Sequence, residues 1–357
     1  MKKPVKQFLQ FLLFFAVGFT ILFLLYRSLN ANYQEECVKR GVPAEECNLL
    51  EKVFTDFQNS NWWWLLVIIV IYILSNIFRA VRWHQLLKPI GCIPKWYNSF
   101  FTIMLGYFAN LGLPRIGEFV RAGTFAKYEK IAPEKVMGTI VVDRIFDFIC
   151  LGIMIALGLF FEYDKIWTYF EPYLLGEGKN KFTLLLILGF IAVIGLAAIY
   201  FLRKQLMQTK LFQKLQKIGL GFWDGLKSVK DIENISLFIF NTIGIWACYY
   251  FMIYFCFYAY APTANLTLVA GLTVFIFGSL GMVFPSPGGM GAYHVLVIAA
   301  LMLYNIEEAD AFSFVNILFF TINIGGNIIL GILALILLPR LNSGNDTIIG
   351  EATLPKK

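Results

Sequence analysis

Residues 98–124 read NSFFTIMLGYFANLGLPRIGEFVRAGT, and the way this stretch meets a bilayer decides the fold. Its apolar part, 98–113, has 16 residues, about 24 Å of helix at ~1.5 Å per residue. A hydrocarbon core of about 30 Å is too thick for it to cross. Basic residues stand on both flanks, Lys88 and Lys95 before it and Arg121, Lys127, Lys130 and Lys135 after it. Lys and Arg hold short loops on the cytoplasmic side, so both ends belong there. The segment is therefore expected to be a re-entrant hairpin that dips into the membrane and returns.

The rest of the chain supports a membrane setting. Of its 357 residues 59% are hydrophobic and only 15% charged, with a mean hydropathy of +0.68. Soluble domains run about 45–50% apolar and about 25% charged, so the expected class is an all-α polytopic membrane protein. The net charge of +7 lies in short loops beside apolar runs, where the positive-inside rule places it, and nucleic acid is not an expected partner. No G-x-x-x-x-G-K-[ST] or G-x-G-x-x-G occurs, which removes a nucleotide cradle and an intrinsic ATPase. The six cysteines form no C-x-x-C, and His84 and His294 lie far apart; no metal or other cofactor is expected. Cys37 and Cys47 share a loop, and either a bridge or two free thiols fits that placement.

Loop charges give an itinerary. Residues 8–26 follow Lys2, Lys3 and Lys6 and form a retained first helix with its N-terminus inside. The loop 27–61, with four Lys/Arg against six Asp/Glu, is external. A helix opening with Trp62, Trp63 and Trp64 runs inward to Arg79, Arg82 and Trp83, which are read as snorkelling to the inner head groups. After the hairpin, 139–161 cross outward and 182–202 return to a basic loop. Residues 237–260 cross outward to a turn at Pro262, and 268–284 run in to Pro285-Ser286-Pro287-Gly288-Gly289. Gly291–Tyr304 is long enough only for a half-helix, ending before Glu307, Glu308 and Asp310. Residues 312–338 cross inward, which puts both termini inside.

Residues 62–161 thus read span, hairpin from inside, span, and 237–338 read span, hairpin from outside, span. An inverted repeat with two interrupted short segments is the sequence pattern of a transporter whose site lies at the midplane. The breaks share P-x-x-G, Pro114 to Gly117 and Pro285 to Gly288. The expected units are an N-terminal helix and external loop (1–61), a first half (62–202), a basic cytoplasmic loop (203–236), an inverted second half (237–340) and a polar tail (341–357).

Charges inside a bilayer are costly and ask for a reason. One cluster is Arg115, Glu118 and Arg121, where the spacing of three lets Glu118 reach both arginines. The other is Asp143, Arg144 and Asp147. These six sum to zero, which suits a zwitterionic or aminated head group, with arginine's planar fork on the phosphate. Glu118, Asp143 and Asp147 can bind an amine, carry a coupling proton or simply staple helices, and the residues do not choose between these roles. Gly288, Gly289 and Gly291 precede a half-helix whose free amides offer an anion site. His294 is the remaining titratable candidate for proton coupling.

RAVRW from Arg79, PRIGEFVRA from Pro114, VVDRIFD from Val141 and FPSPGGMGAYH from Phe284 resemble the signature blocks of the lysylphosphatidylglycerol synthase transmembrane region, a flippase-like membrane domain. The resemblance implies a prokaryotic inner-membrane protein that moves a phospholipid or lipid-linked head group between leaflets. Only seven residues follow Gly350, so the aminoacyl-transferase activity of bifunctional members is not expected here. Two other readings stay open. One is a membrane-embedded transferase using Asp143 and Asp147, and the other a membrane partner that docks a separate lipid-modifying transferase through 203–236.

Overall fold

The computed structural model describes residues 20, 23–112, 115–175, 231–284 and 286–343. Most of the first apolar run, the expected crossing 182–202, the basic loop 203–230 and the tail beyond 343 lie outside the described residues. Those described are helical throughout their ordered elements, and among them four helices are long and apolar enough to cross a bilayer: Trp62–Ile90, Pro133–Trp167, Ile235–Ala259 and Glu308–Asn342.

The first helix among the described residues is α1 (23–39), which carries helix well past residue 26, where the apolar run was expected to end it. Glu35 and Lys39 pair one turn apart at 2.9 Å, and the helix runs on until Gly41, whose φ of 82° turns the chain. Cys37 and Cys47 are bridged. Helix α2 (Leu49–Asn59) starts on the Asn48 side chain, which accepts from the Leu50 amide.

The first half is α3 (Trp62–Leu87), α4 (Trp96–Gly112), α5 (Gly117–Glu129) and α6 (Pro133–Leu175). Asn61 caps α3 by accepting from the Trp63 amide. Helices α4 and α5 are the limbs of the predicted hairpin. They approach so closely that a Cβ on Gly117 would collide with the Gly106 carbonyl oxygen. The Gly117 amide donates to Asn110 Oδ1 at 2.7 Å, closing the turn. Helix α6 breaks at Glu162, where φ and ψ are −135° and 37°.

The second half repeats this order as α7 (Ile235–Ala259), α8 (Leu268–Val283), α9 (Ala292–Met302) and a long span made of α10 (Glu308–Phe320), a π-helical turn (Thr321–Ile328) and α11 (Ile329–Asn342). The packing repeats with it. Helix α3 lies along α7, α4 packs on α11 while α8 packs on α6, and α5–α6 contact is mirrored by α9–α10. Each half thus lends its long span to the hairpin of the other. The π turn brings Gly325 against Ile69 and Gly326 against Tyr72, and Gly331 lies against Phe108. Such small residues let membrane helices approach closely.

The segments that loop charge assigned to one side meet at one end, where Lys52, Tyr260 and Asp310 bond to one another. At the other end Asn98 and Asn342 exchange side-chain hydrogen bonds, and Lys88 pairs with Glu233.

Candidate functional site

Between α3, α5 and α6 the chain buries a network of charge. Arg79 and Arg82, three apart on α3, face Asp143 and Asp147, four apart on α6, so each helix offers one face of one sign. Arg79 Nη1 donates to Asp143 Oδ2 at 3.0 Å and to Asp147 Oδ2 at 2.9 Å, and its Nη2 reaches the Tyr249 hydroxyl of α7 at 3.1 Å. Arg82 donates to Asp143 Oδ1 from Nε at 2.9 Å and from Nη2 at 2.6 Å, and to Asp147 Oδ1 at 2.7 Å. The Asp143 and Arg82 side chains are both 0% exposed. Arg79 and Arg82 are therefore spent on ion pairs inside the protein rather than reaching outward to head groups.

The hairpin brings two more charges. Arg144 Nε donates to Glu118 Oε1 at 2.8 Å, and its Nη1 to Asp147 Oδ2 at 3.2 Å; these two contacts join α6 to α5. Arg121 is held differently. Its guanidinium lies 3.7 Å from the centroid of the Trp83 ring, a cation–π contact, and Nη1 is 3.6 Å from Asp143 Oδ2. Trp83 is itself fixed, since its Nε1 donates to Thr139 Oγ1 at 2.9 Å. Although Arg121 is only 3% exposed, its Nε and Nη2 have no hydrogen-bond partner. Buried donors are nearly always satisfied, so these nitrogens mark an unfilled need for an acceptor.

Arg121 lines a cavity of about 10 Å³ together with Tyr107, Asn110, Glu118 and Arg144, room for about one water. That volume is too small for a lipid head group. Glu118 and Arg144, 33% and 30% exposed, are the cluster's least buried charges.

The remaining candidates are placed elsewhere. Arg115 does not join Glu118 and Arg121. With φ at 62° in the turn, it is exposed and donates to the Val283 carbonyl at 3.0 Å, so it ties the two hairpin tips together. The expected reach of Glu118 to both arginines fails because the helix begins only at Gly117. Counting what is present, Arg79, Arg82, Arg121 and Arg144 oppose Glu118, Asp143 and Asp147, so the cluster carries one net positive charge rather than none. At the second tip, Leu111, Asn323 and Phe319 close over Gly288, the Gly289 amide is occupied by the Ser286 carbonyl at 3.1 Å, and the Gly291 carbonyl accepts from Val295. His294 is 1% exposed, its ring 4.7 Å from that of Phe319, with Nδ1 unpartnered. Sequence reasoning did not single out Tyr72, which bonds Asn327 of the π turn, while Asn327 donates to Asn323 at 2.9 Å.

A family model described as the lysylphosphatidylglycerol synthase TM region matches residues 49–342. The UPF0104 membrane protein MJ1595 of Methanocaldococcus jannaschii is 22% identical over 294 residues, 73% of this chain and 81% of that protein. No solved structure matches the chain.

Proposed function

The chain belongs to the lysylphosphatidylglycerol synthase transmembrane region family, and from that premise we propose that it moves a phospholipid or lipid-linked head group between leaflets. The observation that carries the reading is Arg121, a buried guanidinium that has two unpartnered nitrogens and lines a small cavity. A phosphodiester supplies a single negative charge and the acceptor oxygens that such a fork binds. One bound phosphodiester would neutralise the cluster's net charge. The Glu118–Arg144 pair, one-third exposed, is the part of the network that can exchange partners at the mouth. Glu118 is free to take a head-group amine while Arg144 turns to the phosphate. Arg79, Arg82, Asp143 and Asp147 form the rigid wall against which this happens, and the inverted packing of the two hairpins supplies the elements that can open the cavity.

The test is leaflet exchange of fluorescent phospholipids in proteoliposomes, with wild type beside Arg121→Met and Asp143→Asn, each checked for monodisperse folding. Exchange by wild type that Arg121→Met abolishes supports the reading. Absence of exchange with anionic, zwitterionic and lysylated lipids alike would sink it in favour of a non-transporting membrane partner.

A further inference from the structure

Residues before 49 lie outside the family match, yet they are tied to one place on the fold. The three acids at the start of α10 and just before it each have a partner in the segment that precedes α3. Arg40 donates to Glu307 at 2.8 Å, Asn32 to Glu308 at 2.9 Å, and Lys52 to Asp310 at 2.7 Å. The segment is held in shape by the Cys37–Cys47 bridge, by Gln34 donating to the Ala44 and Cys47 carbonyls and by the Leu49 amide on Asn30 Oδ1. It forms a cap.

Lys52 is the centre of this cap. Its ammonium bridges Asp56 at 2.6 Å and Asp310 at 2.7 Å, and the Tyr260 hydroxyl lies within hydrogen-bond distance of both carboxylates. Tyr260 ends α7 and Asp310 opens α10. Everything between them is the second hairpin, so one side chain from α2 pins both ends of that hairpin. The first hairpin is closed within itself, by Glu129 accepting from the Lys95 amide and from Asn98. At the far end of the second hairpin the polar restraint from the first half, among the described residues, is one bond from Arg115 to the Val283 carbonyl.

We propose that the disulfide-held cap is a lock on the second hairpin: while Lys52 bridges Asp56, Tyr260 and Asp310, the hairpin and the outer end of α10 stay shut, and withdrawing the bridge lets them open. The lock is polar and partly exposed, which is what a reversible restraint needs and a core contact lacks; α2, which carries it, lies within the family match, and the bridged segment that braces α2 lies before it. That it governs access to the charged cavity rests on the transport reading; the lock itself does not.

Hydrogen–deuterium exchange by mass spectrometry on the full chain in nanodiscs tests it without any cargo. The arms are wild type, wild type with reductant, Lys52→Met and Lys52→Arg. Peptides within 285–310 should exchange at least tenfold faster in Lys52→Met and in the reduced protein, with Lys52→Arg close to wild type and peptides within 96–129 unchanged. Unchanged exchange in 285–310, or an equal rise in 96–129, overturns the lock and makes the cap a general brace. Should Lys52→Met fail to fold, the reductant arm decides alone, and no local rise there overturns the proposal. Leaflet exchange by the same samples then separates the two ideas: a lock that opens in a protein that moves no lipid leaves the lock standing and removes the cargo reading.

Discussion

Arg121→Met and Arg82→Met should part company in stability and in function. Both arginines are buried and both face Asp143, but only Arg82 is hydrogen-bonded to it, through Nε and Nη2, which leaves Nη1 alone without a partner. Removing one partner from such a buried network leaves uncompensated carboxylates and costs about 3–5 kcal/mol. Arg121→Met loses a cation–π contact of roughly 1–2 kcal/mol and a 3.6 Å attraction to Asp143. Against that loss, it removes two buried nitrogens without partners, each an unmet need worth about 1–3 kcal/mol. The relief, about 2–6 kcal/mol for the two nitrogens together, is at least as large as the cation–π loss, and methionine fills the space beside Trp83. At roughly 2 °C per kcal/mol for a chain of this size, Arg82→Met should lower the melting temperature by roughly 6–10 °C and Arg121→Met by no more than about 2 °C. Scanning fluorimetry in detergent measures this, and leaflet exchange on the same preparations should fall to background in Arg121→Met. If Arg121→Met melts as low as Arg82→Met, Arg121 is a structural member of the network and the argument from its free donors fails.

Gly117→Ala should destabilise by about 1–3 kcal/mol through overpacking, because the new Cβ meets the Gly106 carbonyl oxygen, which is backbone and has no rotamer to give; thermal melting checks it. Tyr72→Phe removes a bond to Asn327 and should cost only about 0.6 kcal/mol, the usual value for a hydrogen bond between membrane helices, again read by melting. At Lys52 burial acts to lower the pKa, but hydrogen bonds to Asp310 and Asp56 outweigh it, and the folded value lies above the ordinary 10.5. A raised value stabilises the fold fully below the unfolded pKa, and the contribution is lost as pH rises through the folded one. Burial, with Asp310 and Asp56 beside it, raises Tyr260 in the same sense. Melts taken upward from about pH 8 should therefore hold level to about 10, the ordinary tyrosine value, and then fall, and Lys52→Met should lack the lysine's share of the fall.

The architecture was legible where length and charge disagreed. Sixteen apolar residues between two basic flanks could only dip and return, and α4 and α5 do so around the Gly106–Gly117 contact. The interrupted run at Phe284–Gly291 was legible for the same reason. The charge network was legible only in part. Local spacing suggested Arg115–Glu118–Arg121, but spacing cannot say where a helix starts, and α5 begins at Gly117, leaving Arg115 in a left-handed turn. Arg79 and Arg82 were misread because their position at the end of an apolar run looks the same for a snorkelling arginine and a paired one. The difference lies on α6, some sixty residues away, at Asp143. The cap was hidden for a related reason. Its acids looked like ordinary loop charge until Lys52 of α2 was found to reach across to Asp310.

The two halves share a plan but not a chemistry. All seven members of the charged network, Arg79, Arg82, Glu118, Arg121, Asp143, Arg144 and Asp147, come from α3, α5 and α6, and the second half adds one hydroxyl, Tyr249. The second half in turn holds the π-helical turn, with Asn323 and Asn327, and the hairpin whose ends the cap pins. A network of buried arginines and aspartates is rigid, since moving any one of them strands its partners. A π turn is a local defect of the kind often found where helices serve function. It follows that opening the cavity should displace the second hairpin and α10 against a fixed first half. A substitution that loosens the cap should then change access to Arg121 without changing the arrangement of Asp143 and Asp147 around Arg82.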